Sequence, residues 1–251
     1  MTDNLIFGRN PVIEAINSGH SIDKILIQTE AQNIAKITAL AKEHKIMFQF
    51  VNRKKLDELC EEHSAGQEVR HQGVVALVAA QKYYEVDEIL AFAAGKNEPP
   101  LLLIADGITD PHNLGSIIRT ANAAGVHGII IPKNRSVSLN STVAKISAGA
   151  AEYTRVAKVS NIAQTIDKLK KQGVWIAGTD LSAVQTHYET GLTGPLAIAL
   201  GSEGAGMSRI VKEKCDFLMK IPMLGEIQSL NVAVATGVLL YERVRQNIHN
   251  K

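Results

Sequence analysis

The sequence predicts an α/β protein in two parts: a small N-terminal α/β domain and a larger C-terminal domain on a mostly parallel sheet. Three observations carry that prediction. Short apolar runs alternate with segments of helical periodicity along the chain, the pattern of strands covered by helices. The alternation breaks at Gly95-Lys96-Asn97-Glu98-Pro99-Pro100, where two prolines end a polar stretch and favour an extended tether. The length, 251 residues, suits one large domain or two small ones. These observations place an N-terminal domain over 1–80, a linker over 81–100, partly helical from Gln81 to Ala94 and extended from Gly95, and a second domain over 101–251.

In the first part, Asn10-Pro11 reads as an N-cap with proline at the first helical position, opening a short helix through Ile16. Lys24 to Gln28 and Ile46 to Val51 are strands, and Gly73 to Ala80 is a third, buried one. Helices fall over Ala31 to Lys45, with Ile34, Ile37 and Leu40 on one side, and over Arg53 to Glu62. The set predicts a small three-layer domain. Arg53-Lys54-Lys55 at a helix start and the loop Glu68-Val69-Arg70-His71-Gln72 could grip RNA phosphates. A solvated helix face is the commoner origin of such a run.

Composition narrows the classes. Apolar residues at 45% and charged residues at 21% describe an ordinary globular protein. A net charge of +2 permits nucleic-acid binding without requiring it. Cys60 and Cys215 are far apart and lack metal-ligand spacing, so neither a disulfide framework nor a metal site is expected. No apolar run reaches the roughly 18 to 20 residues of a membrane helix. The start MTDNLIFGRN lacks a basic n-region and a long apolar run. A cytosolic protein with no membrane partner is expected.

In the second part, Leu101 to Ala105, His127 to Ile131, Val174 to Gly178, Leu196 to Leu200 and Phe217 to Ile221 are short apolar runs of parallel-strand type. Helices are expected near Leu114 to Ala124, Thr142 to Ala150, Ile162 to Gln172, Ser208 to Lys214 and Ser229 to Gln246. In such sheets ligands bind beyond the carboxyl ends of the strands, and three segments lie there.

After Leu101 to Ala105 comes DGITDPHNLGSIIRTANAAGV, in which Asn113 suits the cap of a helix. Arg119 lies among small and apolar residues, where a guanidinium needs a partner or a task; a phosphate would serve. His112 has no titratable neighbour of use and reads as structural or solvent-facing. After Leu196 to Leu200 comes Gly201-Ser202-Glu203-Gly204-Ala205-Gly206, whose glycines admit a ligand close to the backbone. Its spacing is not the dinucleotide fingerprint, and Glu203 suits a neutral or cationic ligand better than a phosphate. Last, a strand stops at Pro222, a loop follows through Gly225, and a helix begins at about Ser229 with Leu230, Val234, Val238 and Tyr241 as its apolar stripe. Gln228, Ser229 and Asn231 gather at its start.

Together, DPHNLGSIIRTANAAGV, LALGSEGAGMS and IPMLGEIQSLNVAVATGVLLYE closely resemble the three motifs of the SpoU/TrmH-type RNA 2'-O-ribose methyltransferases, a branch of the SPOUT superfamily. The resemblance runs from about Leu101 to the C-terminus, and Lys145 to Ala150 matches the family's segment between the first two motifs. The first eighty residues, with IFGRNPVIEAI and RHQGVVALVA, look like the L30e-like substrate-binding domain of the bacterial 23S rRNA guanosine methyltransferases of this family. One departure is Ala233, where a serine is common.

The resemblance implies a deep trefoil knot in the C-terminal segment, although knotted chains are rare. It implies S-adenosylmethionine as methyl donor, with backbone groups of Gly201, Ile221 and Leu230 holding adenine and ribose, and Thr179, Glu203, Met223 and Ser229 beside them. No metal is implied. Asn113, Arg119, Glu203, Ser229 and Asn231 match the catalytic positions. A 2'-hydroxyl is a poor nucleophile until aligned and relieved of its proton. The resemblance implies Arg119 as the group that deprotonates the hydroxyl; because arginine scarcely deprotonates, an equally physical role is a clamp on the adjacent phosphate that also stabilises the forming alkoxide. Asn113 and Asn231 would orient Arg119 or the ribose, and Glu203 would fix a donor or take the proton. The implied substrate is a guanosine of 23S rRNA, free or in a ribosomal precursor, and the implied assembly is a homodimer completing the site across its interface. Alternatives are a tRNA or other rRNA member of the family, or a catalytically silent RNA-binding assembly factor, which should show damaged motifs. A nucleotide-cofactor oxidoreductase should carry a glycine fingerprint after its first strand, where Asp106 to Asp110 stands instead.

Overall fold

A computed structural model describes residues 5–18, 20–63, 70–79 and 82–248. Glu68 and Val69 of the expected polar loop, and Ala80 and Gln81 at the expected boundary, lie outside the described residues. The chain forms two compact units, one essentially up to Lys82 and the other from Tyr83 onward.

The first unit runs β1 (Leu5–Phe7), α1 (Arg9–Asn17), β2 (Ile22–Gln28), α2 (Ala35–Glu43), β3 (Phe48–Val51), α3 (Arg53–His63) and β4 (Val74–Val78). Its sheet has the order β1-β4-β2-β3, antiparallel except where β2 meets β3. One face packs Ile25, Ile27, Val74 and Ala76 against Val12 and Ile16 of α1 and Ile37 and Ala41 of α2. The other places Leu26 and Val75 against Leu56 of α3. Helix α1 opens at Arg9 rather than after Asn10, with Gly8 at φ 94° as its cap. Pro11 still falls in the first turn, where backbone N–H groups have no helical partner. Strand β1, which the sequence pattern missed, is three residues long.

The second unit begins with α4 (Val86–Gly95), then β5 (Leu101–Asp106), α5 (Pro111–Ala123), β6 (Gly128–Pro132), α6 (Ser141–Ile146), a 3₁₀ turn (Ala150–Glu152), β7 (Arg155–Val159), α7 (Ile162–Lys171), β8 (Trp175–Thr179), β9 (Leu196–Gly201), α8 (Arg209–Lys214), β10 (Phe217–Met219) and α9 (Val232–Ile248). Six parallel strands form one sheet in the order β10-β8-β9-β5-β6-β7. Leu102, Ile104, Ile130, Ile176 and Ala199 pack on one face against Ile89 of α4, Ile166 and Leu169 of α7 and Val211 of α8. The alternate residues Leu101, Leu103 and Ala105 are buried as well, the mark of a sheet covered on both sides.

Three differences from the sequence expectations have clear causes. From Tyr83 onward the stretch 81–100 belongs to the second compact unit, its helical part being α4. Tyr84 bridges to Ala157, and α4 buries Ile89 completely because Gly128 has no side chain: a Cβ there would lie 2.5 Å from Ile89 Cγ2. The expected helix from Thr142 to Ala150 stops at Ile146, and Ala148 and Gly149 turn with positive φ. Edge strand β7 escaped notice because RVAKV mixes two cations into its apolar run; the Arg155 guanidinium lies 3.3 Å from the centre of the Phe92 ring, so its charge sits on an aromatic face.

Candidate active site

A cavity of about 650 Å³ opens at the carboxyl ends of β8, β9 and β10, the place expected of such sheets. Thr179, Gly201, Glu203, Ile221, Met223, Ser229 and Leu230, the seven residues expected around the methyl donor, all line it. Its apolar wall adds Leu200, Met219, Val232 and Leu239. The Thr179 hydroxyl is turned onto the sheet, donating to the Ala199 carbonyl at 3.2 Å.

Gly201 ends β9 under a tight loop. Ser202 N–H donates to the Gly206 carbonyl at 3.0 Å and Gly206 N–H to the Ser202 carbonyl at 2.9 Å. A Cβ at Gly201 would meet the backbone of Gly206 and Met207 at 2.0 Å, so only glycine fits there. The loop is tied down by Asp106 at the end of β5, whose carboxylate accepts from Ser208 N–H at 2.7 Å. Sequence reasoning did not single out Asp106; its place at the end of the first sheet strand was the available signal.

Beside the cavity three of the expected catalytic side chains meet. Asn231 Nδ2 donates to Asn113 Oδ1 at 2.7 Å and to Glu203 Oε1 at 2.6 Å. Asn113 Nδ2 donates to the same Glu203 oxygen at 3.2 Å. Neither asparagine plays the part its local sequence alone suggested. Asp110 caps α5, accepting from His112 and Asn113 N–H at 3.2 Å each, which leaves the Asn113 amide free to cross to Glu203. Helix α9 starts at Val232, not Ser229, and its cap is Asn231, whose Oδ1 accepts from Ala233 and Val234 N–H at 3.0 and 3.3 Å. One Asn231 amide thus orders a helix start with its oxygen and a carboxylate with its nitrogen. Ser229 is exposed on the cavity wall.

Arg119 is exposed, not enclosed in the packed face of α5, and makes no hydrogen bond or ion pair among the described residues. The asparagines hold Glu203 and each other rather than Arg119. His112 is exposed, as expected. The apolar stripe Leu230, Val234, Val238 and Tyr241 is not the face α9 turns inward. That face is Val232, Thr236, Leu239, Leu240 and Arg243, while Val234 and Tyr241 are about half exposed.

Two further ionised side chains on the cavity wall, Asp180 and Lys212, were not anticipated; they form an ion pair at 2.7 Å. Burial pushes the Asp180 pKa up, but hydrogen bonds from Lys212 and Ser182 outweigh it and hold the carboxyl below its ordinary value. Among the described residues no cluster of three or more His, Cys, Asp or Glu has the arrangement of a metal site, and no helix is long and apolar enough to cross a membrane.

A family model described as the SpoU rRNA Methylase family matches residues 100–241, and one described as RNA 2'-O ribose methyltransferase substrate binding matches residues 5–84. YacO of Bacillus subtilis (strain 168), assigned to the TrmH family of tRNA/rRNA methyltransferases, is 48% identical over 246 residues, covering 96% of this chain and 95% of its own. A Staphylococcus aureus (strain MSSA476) protein of the same assignment is 48% identical over 248 residues, 98% and 97% of the two chains. Among solved structures, the SpoU methyltransferase AviRb from Streptomyces viridochromogenes, in complex with AdoMet, superposes with a TM-score of 0.62 at 26% identity, over 98% of this chain and 90% of that one. Over nearly its whole length, and in the loops that line this cavity, the chain belongs to the SpoU/TrmH family of RNA methyltransferases.

Proposed function

We propose that the protein methylates the ribose 2'-hydroxyl of a guanosine in 23S rRNA, with S-adenosylmethionine as donor. The observation that carries the reaction is the convergence of Asn113, Glu203 and Asn231 on one carboxylate oxygen at the rim of a cavity of cofactor size. The mainly apolar wall fits a ligand held by backbone groups. Gly201, Ile221 and Leu230 supply those groups, with Thr179, Met223 and Ser229 beside them. When bound, S-adenosylmethionine supplies a methyl group on a sulfonium leaving group.

The chain's own residues align and deprotonate. Asn113 and Asn231 fix the Glu203 carboxylate through Oε1, leaving its other oxygen to take the hydroxyl proton as the new C–O bond forms. A carboxylate is a weak base for an alcohol, so it must act as the oxygen loses its proton in the transition state, not before. Arg119, exposed and without a partner, binds the adjacent phosphate and stabilises charge developing on the oxygen. The match of residues 5–84 to a substrate-binding model of the 2'-O-ribose class supports the ribose as target and the first unit as the RNA-gripping domain, of L30e-like fold. The same reading includes the trefoil knot and cytoplasmic residence.

It also includes a homodimer. Leu224 and Ile227 in the loop before α9 are 99% and 76% exposed, and Val234 and Tyr241 of α9 are about half exposed, apolar surface that a second copy would cover. The test is methyl transfer from labelled S-adenosylmethionine to 23S rRNA lacking its native modifications, mapped by resistance to alkaline hydrolysis. A single protected guanosine, lost with Arg119→Ala, is expected. Label on tRNA alone would overturn the substrate, and label on a base would overturn the chemistry.

A further inference from the structure

We propose that the Asp180–Lys212 ion pair is the docking point for the amino-acid end of the methyl donor, Lys212 receiving its α-carboxylate and Asp180 its α-ammonium. The inference rests on the reading of the cavity as the S-adenosylmethionine site and names what holds the end of the molecule that the family motifs leave unassigned.

The argument is one of charge. The ligand joins adenosine, through the sulfonium, to an amino-acid end that is a zwitterion, and enclosing a zwitterion without charged partners is costly. Four side chains on the cavity wall ionise at neutral pH: Asp180, Glu203, Lys212 and Lys220. Glu203 is engaged by Asn113 and Asn231, and Lys220 faces Glu189 electrostatically. Asp180 and Lys212 remain, one of each sign and next to each other.

They come from different elements, Asp180 from the turn after β8 and Lys212 from α8, and the turn is built to aim the carboxylate. Ser182 N–H donates to Asp180 Oδ1 at 2.8 Å, and the Ser182 hydroxyl donates to the same oxygen. The other oxygen, Oδ2, is left to Lys212, whose Nζ also donates to Ser182 Oγ at 3.3 Å. The side chains of Asp180 and Lys212 are 21% and 37% exposed, partly desolvated yet open to the cavity. A ligand zwitterion laid antiparallel to this pair makes a four-charge alternating cluster. No net charge is buried, and neither protein charge loses its partner.

Isothermal titration of the full-length protein tests the pair with two ligands, S-adenosylhomocysteine and 5'-methylthioadenosine, the second lacking the amino-acid end. Lys212→Met should weaken S-adenosylhomocysteine about tenfold or more, the worth of a charge-assisted hydrogen bond. It should leave 5'-methylthioadenosine within about twofold. Asp180→Asn should act in the same direction, and Lys212→Arg should recover most of the loss. Unchanged methylthioadenosine binding shows that the variant cavity is intact. Equal weakening of both ligands would overturn the proposal by placing the pair against the adenosine or in the loop's own architecture. Unchanged binding of both would overturn it outright, leaving the methyltransferase reading in place. A wild-type protein that bound neither ligand would overturn the assignment of the cavity itself, and the pair's role with it.

Discussion

Gly201→Ala should disable the site while its neighbour Gly225→Ala does nothing. At Gly201 an added Cβ falls 2.0 Å from Gly206 C and Met207 N and 2.5 Å from Gly206 O. Ordinary contact begins near 3.4 Å, so the backbone of 206–207 must retreat by about 1.4 Å. Neighbouring backbone cannot rotate away as a flexible side-chain tip would. The retreat breaks the two hydrogen bonds that close the loop on Ser202, each worth about 1 kcal/mol, and adds an overpacking cost of about 1–3 kcal/mol. A loss near 3 kcal/mol lowers the melting temperature of a unit this size by about 6–12 °C. Because the loop carries Glu203, misplacement on this scale should also slow methyl transfer about 100-fold. The Gly225 Cβ would meet nothing within 4 Å. Differential scanning calorimetry and S-adenosylhomocysteine titration of the two variants decide it. Equal behaviour of the pair would refute the claim that the Gly201 loop is held against its own backbone.

Arg119→Ala should abolish methyl transfer while leaving stability within about 0.5 kcal/mol, since the side chain is exposed and makes no hydrogen bond or ion pair among the described residues; a large drop in melting temperature would give Arg119 a structural role instead. Asn231→Ala should cost about 1 kcal/mol as a lost cap and release Glu203. Asn231→Asp should keep the cap yet still lose activity, because it sets a second carboxylate against Glu203; single-turnover rates beside urea melts separate the two effects. Glu242 is held at about 2, first by hydrogen bonding to Arg245, against burial and aided by Gln246. Its folded-state value lies below the unfolded value near 4.3, so its contribution is complete above about pH 5 and is lost as pH falls toward 2. The stability difference between wild type and Glu242→Gln, followed by urea melts, should shrink over that interval and stay flat from pH 6 to 8. Burial, followed by the charge of Asp216, pushes the Cys215 thiol up to about 11. At pH 8 its thiolate fraction should be about 200-fold below that of a free cysteine, and maleimide labelling correspondingly slow; rapid labelling would contradict the raised pKa.

Much of the fold was legible because strands buried on both faces announce themselves. Leu101 to Ala105 and Leu196 to Leu200 have no polar residue to confuse the reading, and both lie central in the sheet. Edge elements were not legible for the complementary reason. Arg155 and Lys158 are tolerated in β7 because one side of an edge strand is open, and that tolerance erases the apolar run. Likewise Gly95 to Pro100 has the composition of a tether, but what fixes α4 is Ile89 against Gly128, a contact between residues thirty-nine apart that no local pattern carries.

The site shows the same division. Its residues were readable from the resemblance of three segments to family motifs, but their partners were not. Asn113 satisfied the local rule for a helix cap and does not cap, whereas Asn231, two residues past the expected helix start at Ser229, does. Asp110 stood three residues ahead of Asn113 and took the donors first, whereas no better acceptor preceded Val232. Helix α9 carries the point furthest. Periodicity finds that Leu230, Val234, Val238 and Tyr241 share a side, and a helix this long is amphipathic on more than one heading. Arg243 with Leu239 and Leu240 turned out to be the inward set, because helix α5 packs against α9. Much of the stripe that looked like core, Val234 and Tyr241 above all, is then about half exposed apolar surface. A period of 3.6 residues establishes that a face is apolar, and only the remainder of the assembly establishes what it faces.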